Sequence, residues 1–403
     1  MLSMASKTDT HPSKPQFDYA EVSIAVVGGL ALALIAIFLC VVSLTGKTAS
    51  GRDFVVYWAT GQQLAHHANP YDTDALDRIE HTAGLPAVYG VLYMRNPPWD
   101  LILTLPLGFI GLRISALLWS LILAGCLVLC VRMVWIMHGR PPNRLHWLGY
   151  SFAPAMVCLF AGQTSLFALV GLVLFLRLHA TRPFLAGASL WLCALKPHLF
   201  LAFGVVLLAW MIASRSYRIL AGGMSALAVS CGLVYLIDPM AWTQYSQMIR
   251  KAGIDKEIIP CLGVALRTWI NPNAAWIPYV LPALACVWAL GYFLVHRRTW
   301  SWMNEGSLVM LVSIVMAPYC WMFDQSLAIP ALLQGAYTTR SRVLLTVLAF
   351  TSVAIQIALV AKVRINSPFY LLIAPGWLAW YLFATHRGRY SAGDGAVSGD
   401  RLT

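Results

Sequence analysis

The sequence predicts an all-α, polytopic integral membrane protein with about 12 transmembrane helices. Composition is the first reason: of 403 residues, 59% are hydrophobic and 11% charged, against about 25% charged in soluble domains. A chain of mean hydropathy +0.70 cannot cover its own surface with polar groups, so lipid is its solvent. Run length is the second. The apolar stretches are long and unbroken, and about 20 apolar residues cross a bilayer as a helix whose backbone groups all pair internally. A β-barrel needs short alternating segments instead. The third is the placing of the basic residues, in twos and threes at the ends of the apolar runs. That pattern sets membrane orientation, and it argues against nucleic acid as the partner behind a net charge of +12.

Taken in order, residues 1–21 are polar and lack a small-residue cleavage site, so they read as a cytoplasmic tail before an uncleaved first helix. Residues 22–386 read as a single membrane domain with spans at 22–45, 112–137, 145–160, 163–180, 183–195, 198–213, 217–237, 275–296, 304–318, 323–338, 341–361 and 366–385. Several are short for a bilayer, so some helices must be broken or tilted. The stretch 98–110 (PWDLILTLPLGFI) is too short and Pro-rich to span, and reads as a re-entrant or surface-lying helix. The tail 387–403, rich in Gly, Ser, Asp and Arg, reads as disordered and cytoplasmic. The nine cysteines sit singly inside apolar segments without metal-ligand spacing and read as small core residues.

Orientation follows from the basic loops. With the amino terminus inside and 98–110 not crossing, Arg132, Arg140, Arg144, Arg177, Arg182, Arg215, Arg218, Arg297, Arg298, Arg340, Arg342, Arg387 and Arg389 all fall inside. Two long loops, 46–111 and 238–274, then lie outside. Most of the 16 acids fall on that side, among them Asp53, Asp72, Asp74, Asp77 and Glu80. Long polar loops on one face of a helical scaffold are where function usually sits.

Several clusters there can carry chemistry. Asp53 opens the amphipathic stretch that contains Tyr57, Trp58 and Leu64. Position alone favours an acid capping the first turn of an interfacial helix; a general base facing a lipid-borne substrate is the functional reading. Asn69-Pro70-Tyr71-Asp72 reads as a Pro turn with an Asx-type bond. Arg95, before Asn96-Pro97-Pro98, either snorkels to headgroups or is held rigidly against an anion. Lys196-Pro197-His198 stands between two apolar runs; an ionisable residue there suggests function, with a phosphate or carboxylate as neighbour. Gly162-Gln163-Thr164-Ser165 suits a helix–helix hydrogen-bond site. Asp324, in Ala317-Pro318-Tyr319-Cys320-Trp321-Met322-Phe323-Asp324, is a paired structural charge or a site residue. Arg250, Lys251, Lys256 and Arg267 can hold an anionic headgroup, although a solvated charged face accounts for most of them.

In sequence order, Asp53-Phe54, Ala68-Asn69-Pro70-Tyr71, Arg95-Asn96-Pro97-Pro98 with Pro106-Leu107, Gly162-Gln163, Lys196-Pro197, and Ala317-Pro318 with Trp321 and Asp324 resemble the motifs of the GT-C membrane glycosyltransferases. The likeness is to glycosyltransferase family 87, the polyprenol-phosphate-mannose-dependent mannosyltransferases. The chain departs from that pattern at Ala68, Asn96, Ala317 and Tyr319. The resemblance implies an inverting enzyme of a bacterial inner membrane with its site on the periplasmic side. Asp53 would deprotonate a hydroxyl of a lipid or glycan acceptor, which attacks the sugar of a polyprenyl-phosphate donor, mannose above others. Lys196, His198 and Arg95 would bind the donor phosphate. Tyr57, Trp58, Gln163, Arg267, Trp321 and Asp324 would line the sugar and acceptor pocket. No cofactor, metal or nucleotide sugar is expected, and no Rossmann segment is visible. The competing reading is a transporter or lipid flippase, which would place its ionisable residues mid-span along a path. Here they gather at one end of the spans.

Overall fold

The computed structural model describes residues 19–45, 52–86, 92–253, 257–361 and 367–397, and among these the chain is helical with no β-strand. The first helix, α1 (Tyr19–Thr45), precedes three shorter ones: α2 (Arg52–Ala65), α3 (Thr73–Thr82) and α4 (Leu101–Gly108). Then come α5 (Leu112–Met137), α6 (Ala153–Ala161), α7 (Ser165–Leu178), α8 (Pro183–Cys193), α9 (Leu201–Ala213) and α10 (Tyr217–Ile237). The second polar loop holds α11 (Ala241–Ala252) and α12 (Leu262–Ile270). The remainder is α13 (Val280–His296), α14 (Glu305–Val315), α15 (Ile329–Thr338), α16 (Arg342–Val360) and α17 (Ile373–Val397).

Among the described residues, six stretches are long and apolar enough to cross a membrane: Ser23–Val41, Leu112–Met137, Tyr217–Ile237, Ile277–His296, Arg342–Val360 and Pro368–His386. The sequence predicts about twelve spans; by length and composition the described residues supply these six, with four shorter apolar helices, α7, α8, α9 and α14, beside them. Proline accounts for two of the differences. The run 145–160 divides into a 3-10 turn, Leu145–Gly149, and α6 with Pro154 in its first turn. The run 323–338 divides likewise into the turn Met322–Ala328 and α15 with Pro330 in its first turn. Proline starts a helix readily and cannot sit within one without breaking a hydrogen bond. At the end of the described residues, α17 continues to Val397. Segment 98–110 forms a 3-10 turn and the eight-residue α4, too short to cross.

The core forms around α7, whose residues Ser165 to Val173 are all buried. The long helices sit around it with apolar faces turned outward: only 17% of the most apolar window of α16, and 22% of those of α1 and α10, is buried in the protein. Such faces are stable only against lipid, so the protein is an integral membrane protein. Helix direction then sorts the loops. The start of α7 and the ends of α8, α10 and α14 meet at one end of the bundle, with α2, α4, α11 and α12 beside them. Arg177, Arg182, Arg215, Arg218, Arg297 and Arg298 lie at the other ends of these helices.

Candidate functional site

The site begins with how α2 is seated. Gly61 of α2 and Gly108 of α4 face each other so closely that a Cβ on either would meet the backbone of the other helix. Trp58 donates its indole N–H to Ile110 O at 3.0 Å and Gln62 donates to Gly108 O at 2.7 Å, which braces α2 on α4. The polar atom of Trp58, expected in the sugar pocket, is thus committed to holding the helix. Asp53 and Tyr57, four residues apart, share one face of α2. Asp53 is partly buried, and Tyr57 is buried against Trp119 with ring centroids 5.5 Å apart. The turn after α2 forms as its sequence suggests: Tyr71 N–H donates to Asn69 Oδ1 at 2.9 Å, and Asp72 caps α3.

Gln163 is positioned by the glycine before it. Gly162 ends α6 with φ of +75°, and a Cβ there would stand 2.7 Å from Phe54 of α2. Its carbonyl accepts from Trp119 Nε1 at 2.7 Å. The side-chain oxygen of Gln163 then accepts from Tyr57 Oη at 3.1 Å and from Lys196 Nζ at 3.0 Å. Lys196 follows α8, held ahead of the 3-10 turn Pro197–Leu199. Its ammonium group also donates to Asp324 Oδ1 at 2.7 Å and lies over the Phe323 ring. Asp324 accepts two further bonds, from Ser165 Oγ and from Trp321 N–H, at 2.7 Å and 2.9 Å. Asp324 is thus held in a buried ion pair with Lys196.

A second acid joins the cluster that the sequence reading did not single out. Asp100 is wholly buried, accepts from Asn96 Nδ2, and leaves Oδ1 without a hydrogen-bond partner. Burial pushes its carboxyl up to about 7, against the opposing influence of the Asn96 bond and the Lys196 charge. Asn96 donates to Thr164 Oγ1 as well, at 3.3 Å, which ties the Pro-Pro segment to the start of α7. Burial, with the negative charges of Asp53 and Asp100 nearby, raises the Tyr57 phenol well above its ordinary value, so it remains a proton donor. The visible signal for Asp100 was an acid next to Pro-Pro-Trp at the start of an apolar helix.

Arg95, Arg267 and His198 form the rim. Arg95 pairs with Glu257, a residue the sequence reading passed over, and Arg267 Nη2 donates to Glu257 O at 3.0 Å. The Nε atoms of both arginines are buried without a partner. His198 stacks on Tyr319 with centroids 3.9 Å apart, and its Nε2 has no hydrogen-bond partner. Trp321 stacks beside Phe323. Among the remaining loop cations, Lys251 meets Asp74 and Thr73 at the surface and Arg250 is exposed; Lys256 lies outside the described residues. No group of three or more metal-binding side chains occurs among the described residues.

Apolar helices long enough to cross a bilayer, with an ionisable cluster closed off at one end of them, make this an integral membrane protein with an internal polar site. The model of glycosyltransferase family 87 matches residues 93–318, more than half of the chain, and the chain belongs to that family. It is therefore a glycosyltransferase, as the motif resemblance implied. The matched segment holds Arg95, Gln163, Lys196, His198 and Arg267, while Asp53, Tyr57, Trp58, Trp321 and Asp324 flank it. No curated protein and no solved structure matches the chain.

Proposed function

We propose that this glycosyltransferase is an inverting enzyme that moves mannose from a polyprenyl-phosphate donor to a hydroxyl of a lipid or glycan acceptor. One observation carries the reading: the chain Tyr57–Gln163–Lys196–Asp324 joins the helix that bears Asp53 to the lysine best placed for a phosphate. Asp53 takes the proton of the acceptor hydroxyl as its oxygen bonds to the anomeric carbon. The bond from that carbon to the phosphate oxygen breaks with its electron pair, and polyprenyl phosphate leaves. Two of the three N–H groups of Lys196 are held by Gln163 and Asp324, and the positive charge stabilises the departing phosphate. His198, with its free Nε2, and Arg95, by exchanging Glu257 for phosphate, complete the anion site. Phosphate leaves readily, so positioning and charge carry the step, with no nucleotide, cofactor or metal required. The basic ends of the helices support a bacterial inner-membrane protein with both termini cytoplasmic and this cluster on the periplasmic side.

The test uses purified protein in nanodiscs, a membrane-lipid extract as acceptor, and radiolabelled polyprenyl-phosphate mannose, glucose and arabinose beside GDP-mannose. Transfer from the lipid-linked mannose, with the anomeric configuration inverted, is the expected result. Transfer from GDP-mannose alone would overturn the donor assignment.

A further inference from the structure

At the end of the bundle opposite the candidate site, a cavity of about 270 Å³ opens between α5 and the 3-10 turn Leu145–Gly149. Its polar lining is Arg132 and Trp135 of α5, Asn143, His146, Trp147 and Tyr150. Trp119 of the same helix touches Gly162 at the candidate site, and the 13 residues from there to Arg132 correspond to roughly 20 Å along the axis. The two sites are therefore separate. No acid lines the cavity, and Arg132 makes no ion pair among the described residues. Arg144 stands over the Trp147 ring at 5.6 Å, adding positive charge at the edge.

The hydrogen-bond chain behind the cavity determines what it presents. Gln334 Nε2 donates to Asn304 Oδ1 at 2.7 Å, so its Oε1 accepts from His138 Nε2, also at 2.7 Å. His138 Nδ1 and His146 Nε2 are 2.7 Å apart. With both rings neutral, as burial favours, His138 Nδ1 accepts and His146 Nε2 donates. That leaves a bare lone pair on His146 Nδ1, on a residue 3% exposed, with no partner. A buried acceptor of this kind calls for a donor.

The geometry points to a second site here that takes a phosphodiester carrying a hydroxyl group, the headgroup of a polyol-headed anionic phospholipid such as phosphatidylglycerol. The phosphate meets Arg132, the hydroxyl donates to His146 Nδ1, and Trp147 and Tyr150 flank the polyol at the depth where such rings sit in membranes. A hydroxyl-free headgroup leaves His146 Nδ1 without its donor, and a zwitterionic one brings a cation beside Arg132 and Arg144.

The test titrates purified protein, by native mass spectrometry, with phosphatidylglycerol, phosphatidylethanolamine and phosphatidylmethanol, the last keeping the charge without the hydroxyl. Wild type should retain phosphatidylglycerol about five-fold more tightly than phosphatidylmethanol, the difference one neutral hydrogen bond of about 1 kcal/mol makes, and also more tightly than phosphatidylethanolamine, whose ammonium group Arg132 and Arg144 repel. R132Q, at an exposed position, should lose that preference for charge, and H146F should stop distinguishing phosphatidylglycerol from phosphatidylmethanol. R177Q, at the same end but outside the cavity, should behave as wild type. Equal retention of all three lipids by wild type, or unchanged phosphatidylglycerol retention in R132Q, overturns the proposal. Displacement of the lipid by millimolar glycerol 3-phosphate would keep the phosphate-and-hydroxyl chemistry and assign it to a soluble ligand; no displacement assigns it to the lipid.

Discussion

Lys196 Nζ lies 2.7 Å from Asp324 Oδ1 across 128 residues of sequence, and the two side chains are 9% and 1% exposed. Removing either partner leaves a buried charge unpaired, which costs about 3–5 kcal/mol, whereas removing both spares much of that. K196M and D324L should each lower the thermal unfolding temperature in detergent by several degrees. The double variant should recover part of the loss. Additive losses in the double variant would mean that the pair contributes nothing as a pair.

Asp100 predicts a pH dependence. Its folded carboxyl, raised by burial, titrates at about 7, and an unfolded Asp at about 3.9. The folded state thus holds the proton more tightly, so this contribution to stability is fully present below about pH 4 and is lost as pH rises through about 7. D100N should therefore flatten the fall in unfolding temperature between pH 5 and pH 8 relative to wild type. An unchanged slope in D100N would assign the dependence to other groups.

These two acids also mark how far the sequence could be read. Helical class, membrane character, the Asn69 turn and α2 were legible because each rests on local pattern: run length, a Pro-Tyr turn, the amphipathic spacing of Tyr57, Trp58 and Leu64. The motifs named the family before any contact was known. The partner of Lys196 was not legible, because no spacing rule connects the residue ahead of the 197–199 turn with the 322–328 turn. Glu257 was passed over for the same reason: its arginine partner is 162 residues away. Hydropathy also does not register where a helix restarts at Pro154 or Pro330, so those two apolar runs are not continuous helices.

The Gly61–Gly108 contact predicts a packing defect with a functional readout. A methyl group at either position must push α2 from α4, an overpacking cost of about 1–3 kcal/mol. G61A and G108A should each lower the unfolding temperature and reduce transfer activity together, since α2 carries Asp53 and Tyr57. Wild-type activity in a destabilised G61A would show that the seating of α2 does not matter to the reaction.

Tyr57 offers a milder perturbation. Y57F keeps the ring against Trp119 and removes the bond to Gln163, worth about 1 kcal/mol. Transfer should fall by roughly five- to ten-fold, with the unfolding temperature nearly unchanged. A fall of several orders of magnitude would give Tyr57 a direct part in the chemistry instead.

The central claim is that Asp53 takes the acceptor proton in a transfer from a polyprenyl-phosphate sugar. The most direct measurement compares label transfer from polyprenyl-phosphate mannose by wild type and D53N in nanodiscs, with unfolding temperature recorded for both. The account predicts transfer by wild type and a loss of at least about 100-fold in D53N, the range general-base removal produces, at an unchanged unfolding temperature. Transfer by a folded D53N at the wild-type rate would contradict it.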